Sequence, residues 1–228
     1  MAQLETRPGA YSSLEVNLEA GERFISESGL FVSGSGHVDI DVTARPKGKG
    51  GLLGGLKRLV GGDSFFMSTY TAEGRPGHVL LAPTLPGEVH VVQLDGSTKW
   101  LCAGASFMAC GPEVGLDTKF QGLSGFLSGE GIFFVEAEGR GPLVVSAFGQ
   151  IRELECDGDL VVDTGHLVAF ERGSLEYRIT KAGGSWISSW LAGEGLVMRF
   201  SGRGRVLVQS HNPSAFGQEL GPLLPPRS

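Results

Sequence analysis

The stretch that decides the fold is Leu123-Ser124-Gly125-Phe126-Leu127-Ser128-Gly129-Glu130-Gly131-Ile132-Phe133, because the chain contains it three times. The other copies read Leu56-Lys57-Arg58-Leu59-Val60-Gly61-Gly62-Asp63-Ser64-Phe65-Phe66 and Ile187-Ser188-Ser189-Trp190-Leu191-Ala192-Gly193-Glu194-Gly195-Leu196-Val197. In each copy a short apolar turn leads through a glycine, an acid and a small residue into a hydrophobic strand. Self-similarity at a fixed spacing is typical of a chain built from repeated units.

The copies divide the 228 residues into three units. The anchor glycines Gly62, Gly129 and Gly193 are 67 and 64 residues apart. We therefore predict an N-terminal segment over residues 1–11, then units at 12–85, 86–152 and 153–212. The first unit is longer because of an expanded loop. The Pro-, Gly- and Ser-rich end, residues 213–228, is predicted to be a mobile tail.

Each unit reads as a set of strands. Residues 38–42, 89–94 and 175–179 alternate apolar and polar side chains, the period of a half-buried strand. Glycine-rich stretches at 74–77, 139–142 and 202–205 are predicted to be hairpin tips, since glycine supplies the backbone angles of tight turns. The fold predicted is all-β, with three tandem β-sandwich repeats related by a pseudo-threefold axis.

Composition and charge narrow the function. The formal net charge is −6, which gives no general attraction to nucleic acid, and none is expected as a partner. The start of the chain lacks the basic and apolar regions of a secretory signal, and no stretch approaches the roughly 20 apolar residues of a membrane span. We expect a cytoplasmic protein in which Cys102, Cys110 and Cys156 are reduced thiols.

No motif indicates catalysis. The five histidines are dispersed, and neither His-Glu-x-x-His nor Cys-x-x-Cys occurs. The glycine-rich residues 48–55 lack the Ser or Thr that a phosphate loop needs after its Gly-Lys pair. We therefore predict a protein that is not an enzyme and has no catalytic residues, no metal site and no cofactor.

The strongest local feature is a basic and apolar loop. Residues 45–58 contain five Lys or Arg side chains and no acid, beside several leucines. Basic charge next to an apolar turn is typical of an interfacial membrane segment or of a site for an anionic partner. A solvated loop, and packing against a neighbouring subunit, are the alternatives. The predicted contact surface combines this loop with the two related turns: Arg45, Lys47, Lys49, Leu52, Leu53, Leu56, Lys57, Arg58, Leu123, Phe126, Leu127, Trp186, Ile187, Trp190 and Leu191.

Several phrases resemble the family named for altered inheritance of mitochondria, protein twenty-four. They are the run from Gly50 to Arg58, the phrases that begin at Gly129 and Gly193, and Asp163-Thr164-Gly165-His166-Leu167-Val168-Ala169-Phe170. The resemblance covers residues 14 to 211. It implies three domains, each similar to a subunit of the tryptophan RNA-binding attenuation protein, which is a short double-stranded β-helix that packs into rings. It also implies a homotrimer and, for eukaryotic members, a link to mitochondrial membrane organisation.

These observations together predict a non-enzymatic scaffold or binding module that forms a ring-like homo-oligomer. Its partners would be copies of itself and either an anionic membrane surface, at which it would be peripheral, or another protein. The alternatives are an RNA-binding ring protein and an uncharacterised enzyme on a barrel-like fold.

Overall fold

A computed structural model describes residues 2–9, 11–43, 66–121, 132–181 and 196–225, and these are mostly β-strand. The strands are β1 (Gln3–Arg7), β2 (Ser13–Leu18), β3 (Arg23–Glu27), β4 (Phe31–Gly34), β5 (Val38–Thr43), β6 (Met67–Ala72), β7 (Gly77–Leu81), β8 (Val89–Asp95), β9 (Lys99–Ala103), β10 (Phe107–Cys110), β11 (Val114–Gln121), β12 (Ile132–Ser146), β13 (Ile151–Asp163), β14 (Leu167–Arg172), β15 (Leu175–Lys181) and β16 (Leu196–Gln209). The predicted all-β class is confirmed.

The strands form two sheets, and neighbouring strands in both are antiparallel. The smaller sheet has the order β1-β2-β7-β4. The larger sheet follows the path β13-β16-β14-β9-β12-β10-β3-β6-β5, with β8 and β11 paired to β12 and β15 paired to β16. Neither sheet closes on itself, so β4 and β13 each lie at the end of a strand order.

Alternation of side chains explains why these segments are strands. In β2, Leu14, Val16 and Leu18 are buried, while the polar residues between them are only partly covered. Because successive side chains of a strand point to opposite faces, this pattern places one apolar face against the core. Buried side chains of this kind form three clusters, and each cluster combines residues from distant parts of the sequence.

The predicted hairpin tips at 139–142 and 202–205 are wrong, because β12 and β16 run through them without a turn. Residues 132–139 of β12 pair with β11, and residues 140–146 pair with β8. Gly139 and Gly202 have φ values of 117° and 101°, and each lies where its strand changes partners. The hairpin prediction is also wrong for residues 74–77. These residues join β6 to β7, but the two strands lie in different sheets and do not pair with each other.

We expect Gly202→Ala to be more destabilising than Gly158→Ala, although the two glycines face each other across β13 and β16. Both have positive φ, so each alanine costs about 1–2 kcal/mol of backbone strain. A Cβ at Gly202 would also collide with the Ser174 carbonyl oxygen, whereas one at Gly158 meets open space. The collision adds about 1–3 kcal/mol. Urea denaturation of the two variants measures the difference, and equal losses would contradict the argument.

Residues 38–42 form a strand as predicted, but the face they present is not half-buried. Ile40 and Val42 on β5 are exposed, and only the ends of the strand are partly covered. Alternation fixes which side chains share a face, but it does not determine whether another element covers that face.

Within segment 213–228, predicted to be a mobile tail, Pro213–Leu220 form an α-helix, α1. Asn212 caps it, because its Oδ1 accepts hydrogen bonds from the backbone N–H groups of Ser214 and Ala215. Proline follows at the first helical position, where its missing N–H costs nothing. The ring of Phe216 packs against Phe148, with centroids 5.1 Å apart.

Candidate functional site

The predicted contact surface lies outside the described residues. All of its members fall in 44–65, 122–131 or 182–195. They are Arg45, Lys47, Lys49, Leu52, Leu53, Leu56, Lys57, Arg58, Leu123, Phe126, Leu127, Trp186, Ile187, Trp190 and Leu191. Contact by these residues with a membrane or a partner stays a prediction.

The histidines and cysteines do not converge on one site. Across the described ranges, no group of three or more His, Cys, Asp or Glu side chains is placed to hold a metal ion. All three cysteines are free and buried. Burial raises the pKa of Cys102 and of Cys110 to about 12, because the thiolate would lose its hydration. Neither thiol is therefore activated as a nucleophile at neutral pH.

A buried carboxylate lies where β9, β12 and β14 meet. Glu136 on β12 is almost fully buried and accepts a charge-assisted hydrogen bond from Arg172 Nη1. Lys99 Nζ lies 3.8 Å from the other oxygen of Glu136 and forms an ion pair with Glu138. Each charge at this position has an opposite charge beside it, and the cluster joins three strands.

A second polar cluster lies beside the first and includes an aromatic ring. Arg205 donates from Nε to Glu171 at 2.8 Å, and its backbone N–H donates to the same carboxylate at 2.9 Å. Its guanidinium carbon lies 5.2 Å from the centroid of the Trp100 ring, within cation–π range. Glu171 raises the pKa of Arg205, chiefly through their hydrogen bond. Sequence reasoning missed this cluster, because its members come from three strands far apart in the chain.

The β4 side of the small sheet carries a similar arrangement. The His78 backbone N–H donates to Ser35 Oγ at 3.1 Å, and the His78 ring Nδ1 lies 3.0 Å from the same hydroxyl. The Ser35 backbone N–H donates to the His78 carbonyl at 2.9 Å. This pair lines an open cavity of about 290 Å³ together with Asn17 and Glu19.

Another cavity, of about 360 Å³, lies between residues 21–24 and the segments 111–113 and 140–142. Its walls carry two carboxylates, Glu22 and Glu113, and two guanidinium groups, Arg23 and Arg140. Charges of both signs therefore line this cavity.

Glu27, at the end of β3, has an altered protonation equilibrium. Burial raises its pKa to about 7, because the charged carboxylate loses hydration. The folded protein therefore keeps a proton that the unfolded chain has released between about pH 4.5 and pH 7. Stability from this group is fully present below that window and is lost as the pH rises through it.

We expect Glu27→Gln to stabilise the protein at pH 8 and to leave it unchanged at pH 4, since the amide carries no charge to bury. After allowance for partial solvent screening, the gain at pH 8 is about 1–2 kcal/mol. Urea denaturation at both pH values measures it. Replacement of the exposed Glu113 by Gln serves as the control and should change little at either pH. A gain at pH 4 as large as that at pH 8 would rule out the titration of Glu27 as its cause.

Apolar side chains are exposed on two strand edges. The first, called here the β4 edge, consists of Phe31, Val32, Ser33 and Gly34, all of which are exposed. The second, the β13 edge, consists of residues 160–163, on which Val161 is exposed. Within the described ranges, β4 pairs only with β7 and β13 pairs only with β16. A strand edge with free backbone groups and apolar side chains is suited to pairing with another strand.

No helix in the described part of the chain has the length and apolar character needed to cross a membrane.

Comparison with known proteins places these features in a family. The family model described as mitochondrial biogenesis AIM24 matches residues 4–211. An uncharacterised protein of Streptococcus pyogenes serotype M6 is 30% identical over 221 residues, which cover 94% of this chain and 88% of that protein. An X-ray crystal structure of a Streptococcus pyogenes protein superposes with a TM-score of 0.81 at 27% identity, covering 98% of this chain and all of that one. The resemblance found in the sequence is thus confirmed, and the chain belongs to the mitochondrial biogenesis AIM24 family.

Proposed function

We propose that this protein is a non-enzymatic scaffold that assembles from copies of itself through the β4 edge and the β13 edge. One observation carries the proposal. Apolar side chains are exposed at these two edges, while the side chains at matching positions elsewhere in the chain are buried or, at Ile25, partly buried.

The matching positions follow from the three repeated units, which are part of the proposal. The hairpins β5–β6, β11–β12 and β15–β16 occupy the same place in successive units. The short strands β4, β10 and β14 also correspond, because each has a one-residue register shift after its first residue. These shared irregularities support the alignment of the units more strongly than the glycines of the sequence do.

The residue skipped by the register shift differs in burial among the three short strands. It is Met108 in β10 and Val168 in β14, and both have an exposed fraction of 0%. The corresponding residue in β4 is Val32, which is 54% exposed. β10 and β14 are covered because each pairs with a strand of the preceding unit, β3 and β9 respectively. Among the described residues, β4 pairs with β7 alone, and no strand occupies the place that β3 and β9 take beside β10 and β14.

The last part of β13, at the end of the larger sheet, also exposes a side chain whose counterpart on β9 is covered. Leu101 on β9 lies opposite Phe170 of the paired strand β14 and is fully buried, and the corresponding residue on β13 is Val161, which is 50% exposed. Within the described ranges, β13 pairs only with β16, so no strand covers Val161 as β14 covers Leu101. A second copy would supply the pairing strand that the β4 edge and the β13 edge each lack.

Assembly would also increase the effect of the predicted contact residues. Each copy carries one basic and apolar segment at 45–60, and several weak contacts made together bind far more tightly than one. A peripheral position on an anionic membrane therefore stays part of this proposal, as does the homotrimer that the family resemblance implies.

Light scattering after size exclusion tests the proposal. A mass that is a whole multiple of the 24.0 kDa chain, three for the homotrimer, is the expected result. A mass of one chain at every protein concentration would overturn it.

A further inference from the structure

Two junctions inside the chain use one geometry. At the first, β10 pairs antiparallel with β3, and Ala109 lies opposite Ser26. At the second, β14 pairs antiparallel with β9, and Ala169 lies opposite Cys102. In both cases a short bulged strand of the later unit is added to the second strand of the earlier unit.

The residues that would form a third junction of this kind can be identified by their partners. Ser33 lies opposite Leu80 just after the register shift in β4, as Ala109 and Ala169 do after the shifts in β10 and β14. Val162 of β13 lies opposite Met198 of β16, and Cys102 of β9 lies opposite Val135 of β12. Val162 and Cys102 therefore occupy corresponding positions. Ser33 and Val162 are therefore the counterparts of the two residues that face each other at each internal junction.

We infer that the occupant of both edges is a second copy of this chain, joined head to tail. β4 of one copy pairs antiparallel with the end of β13 of the next, with Ser33 opposite Val162 and Gly34 opposite Val161. This inference rests on the proposed self-assembly and adds to it the direction and the register of the pairing.

Hydrogen bonds around β4 support the same geometry. At the second internal junction, the Arg205 backbone N–H donates to Glu171, and the Arg205 guanidinium covers Trp100 of the preceding unit. At the β4 edge, the His78 backbone N–H donates to Ser35 in the same way. His78 and Arg205 occupy corresponding positions. Each is followed by a valine, Val79 or Val206, that pairs with the first strand of its unit. The side of β4 that would pair with a second copy therefore has the same kind of backbone-to-side-chain hydrogen bond as the side of β14 that pairs with β9.

Head-to-tail pairing has a consequence for the assembly. The two edges of one copy differ, so every copy uses one edge to bind forward and the other to bind backward. Contacts of this kind form a closed ring when the rotation between copies closes, and an open filament when it does not. A ring leaves no exposed β4 or β13 edge.

A disulfide between copies tests the register. Residues directly opposite on antiparallel strands have Cα atoms about 4.5–5.5 Å apart, which is within the range that a disulfide spans. The double variant Ser33→Cys with Val162→Cys is expected to form covalently linked dimers and longer chains on oxidation with copper phenanthroline. A sulfur fits at position 162, since Cys102 occupies the corresponding place in β9.

The matched control is Ser33→Cys with Val161→Cys, which moves the second thiol by one residue and so to the opposite face of the strand. This control should not form disulfide-linked dimers, and neither should either single variant. Any linkage in the single variants measures the background from Cys102, Cys110 and Cys156. If the protein is oligomeric by light scattering but only the control pair links, or neither pair links, the register is wrong and self-assembly survives. If the double variant and the native chain are both monomeric, the proposed function fails with it.

Discussion

Replacement of Val32 by Asp is expected to convert the assembled protein into a monomer. Head-to-tail pairing buries this side chain, as Met108 and Val168 are buried at the internal junctions. A carboxylate buried there without a partner costs several kcal/mol, enough to weaken association at least about 100-fold. The monomer itself should fold normally, because Val32 is exposed within a single chain. Light scattering and thermal unfolding of the variant measure the two effects separately.

Val42→Asp is the matched control. Val42 is 58% exposed on β5, so the same substitution adds the same charge at similar exposure. The corresponding strands β11 and β15 have one neighbour each among the described residues, β12 and β16, so pairing between units does not involve this position. The control should keep the mass of the native protein. A Val32→Asp variant of unchanged mass would show that the β4 edge is not an interface.

Replacement of Phe170 by Ala is expected to give the largest loss of stability, about 3–5 kcal/mol. Its ring is fully buried and lies 4.9 Å from Tyr177, 5.0 Å from Phe200 and 6.0 Å from Phe134, measured between centroids. Truncation leaves a cavity among these rings and also removes the side chain opposite Leu101 at the junction of β14 with β9. Urea denaturation followed by near-ultraviolet circular dichroism measures the loss.

Phe216→Ala provides the comparison, because that ring is 49% exposed on α1 and its removal opens no enclosed cavity. A loss of less than about 1 kcal/mol is expected there. Similar losses for the two variants would mean that the aromatic cluster around Phe170 does not carry the stability assigned to it.

Local pattern was enough to predict the strands. The alternation in residues 89–94 and 175–179 depends only on side chains two positions apart, and β8 and β15 are found there. Pattern is misleading at Gly139 and Gly202, where a glycine-rich stretch predicts a chain reversal that the structure does not contain. The same backbone angle also occurs within a continuous strand, and the pairing of β12 and β16 on both sides of these glycines shows that the strands continue.

The candidate interface could not be predicted from local pattern. Ser26 and Ala109 are opposite each other at a junction, yet they are far apart in sequence, and no short-range signal links them. Val32 and Val161 look like core residues in the sequence, and only their exposure in the folded chain shows that something is missing. The prediction from composition went instead to residues 45–60, which the structure does not describe.

Mixing two blocked variants tests head-to-tail pairing most directly. Val32→Asp blocks the β4 edge and leaves the β13 edge intact, while Val161→Asp blocks the β13 edge and leaves the β4 edge intact. Each variant alone should be a monomer of 24.0 kDa. An equimolar mixture at high protein concentration should give a complex of one chain of each, with twice that mass by light scattering. A mixture that stays monomeric while the native protein is oligomeric, or either variant still assembling alone, would contradict head-to-tail pairing of these two edges.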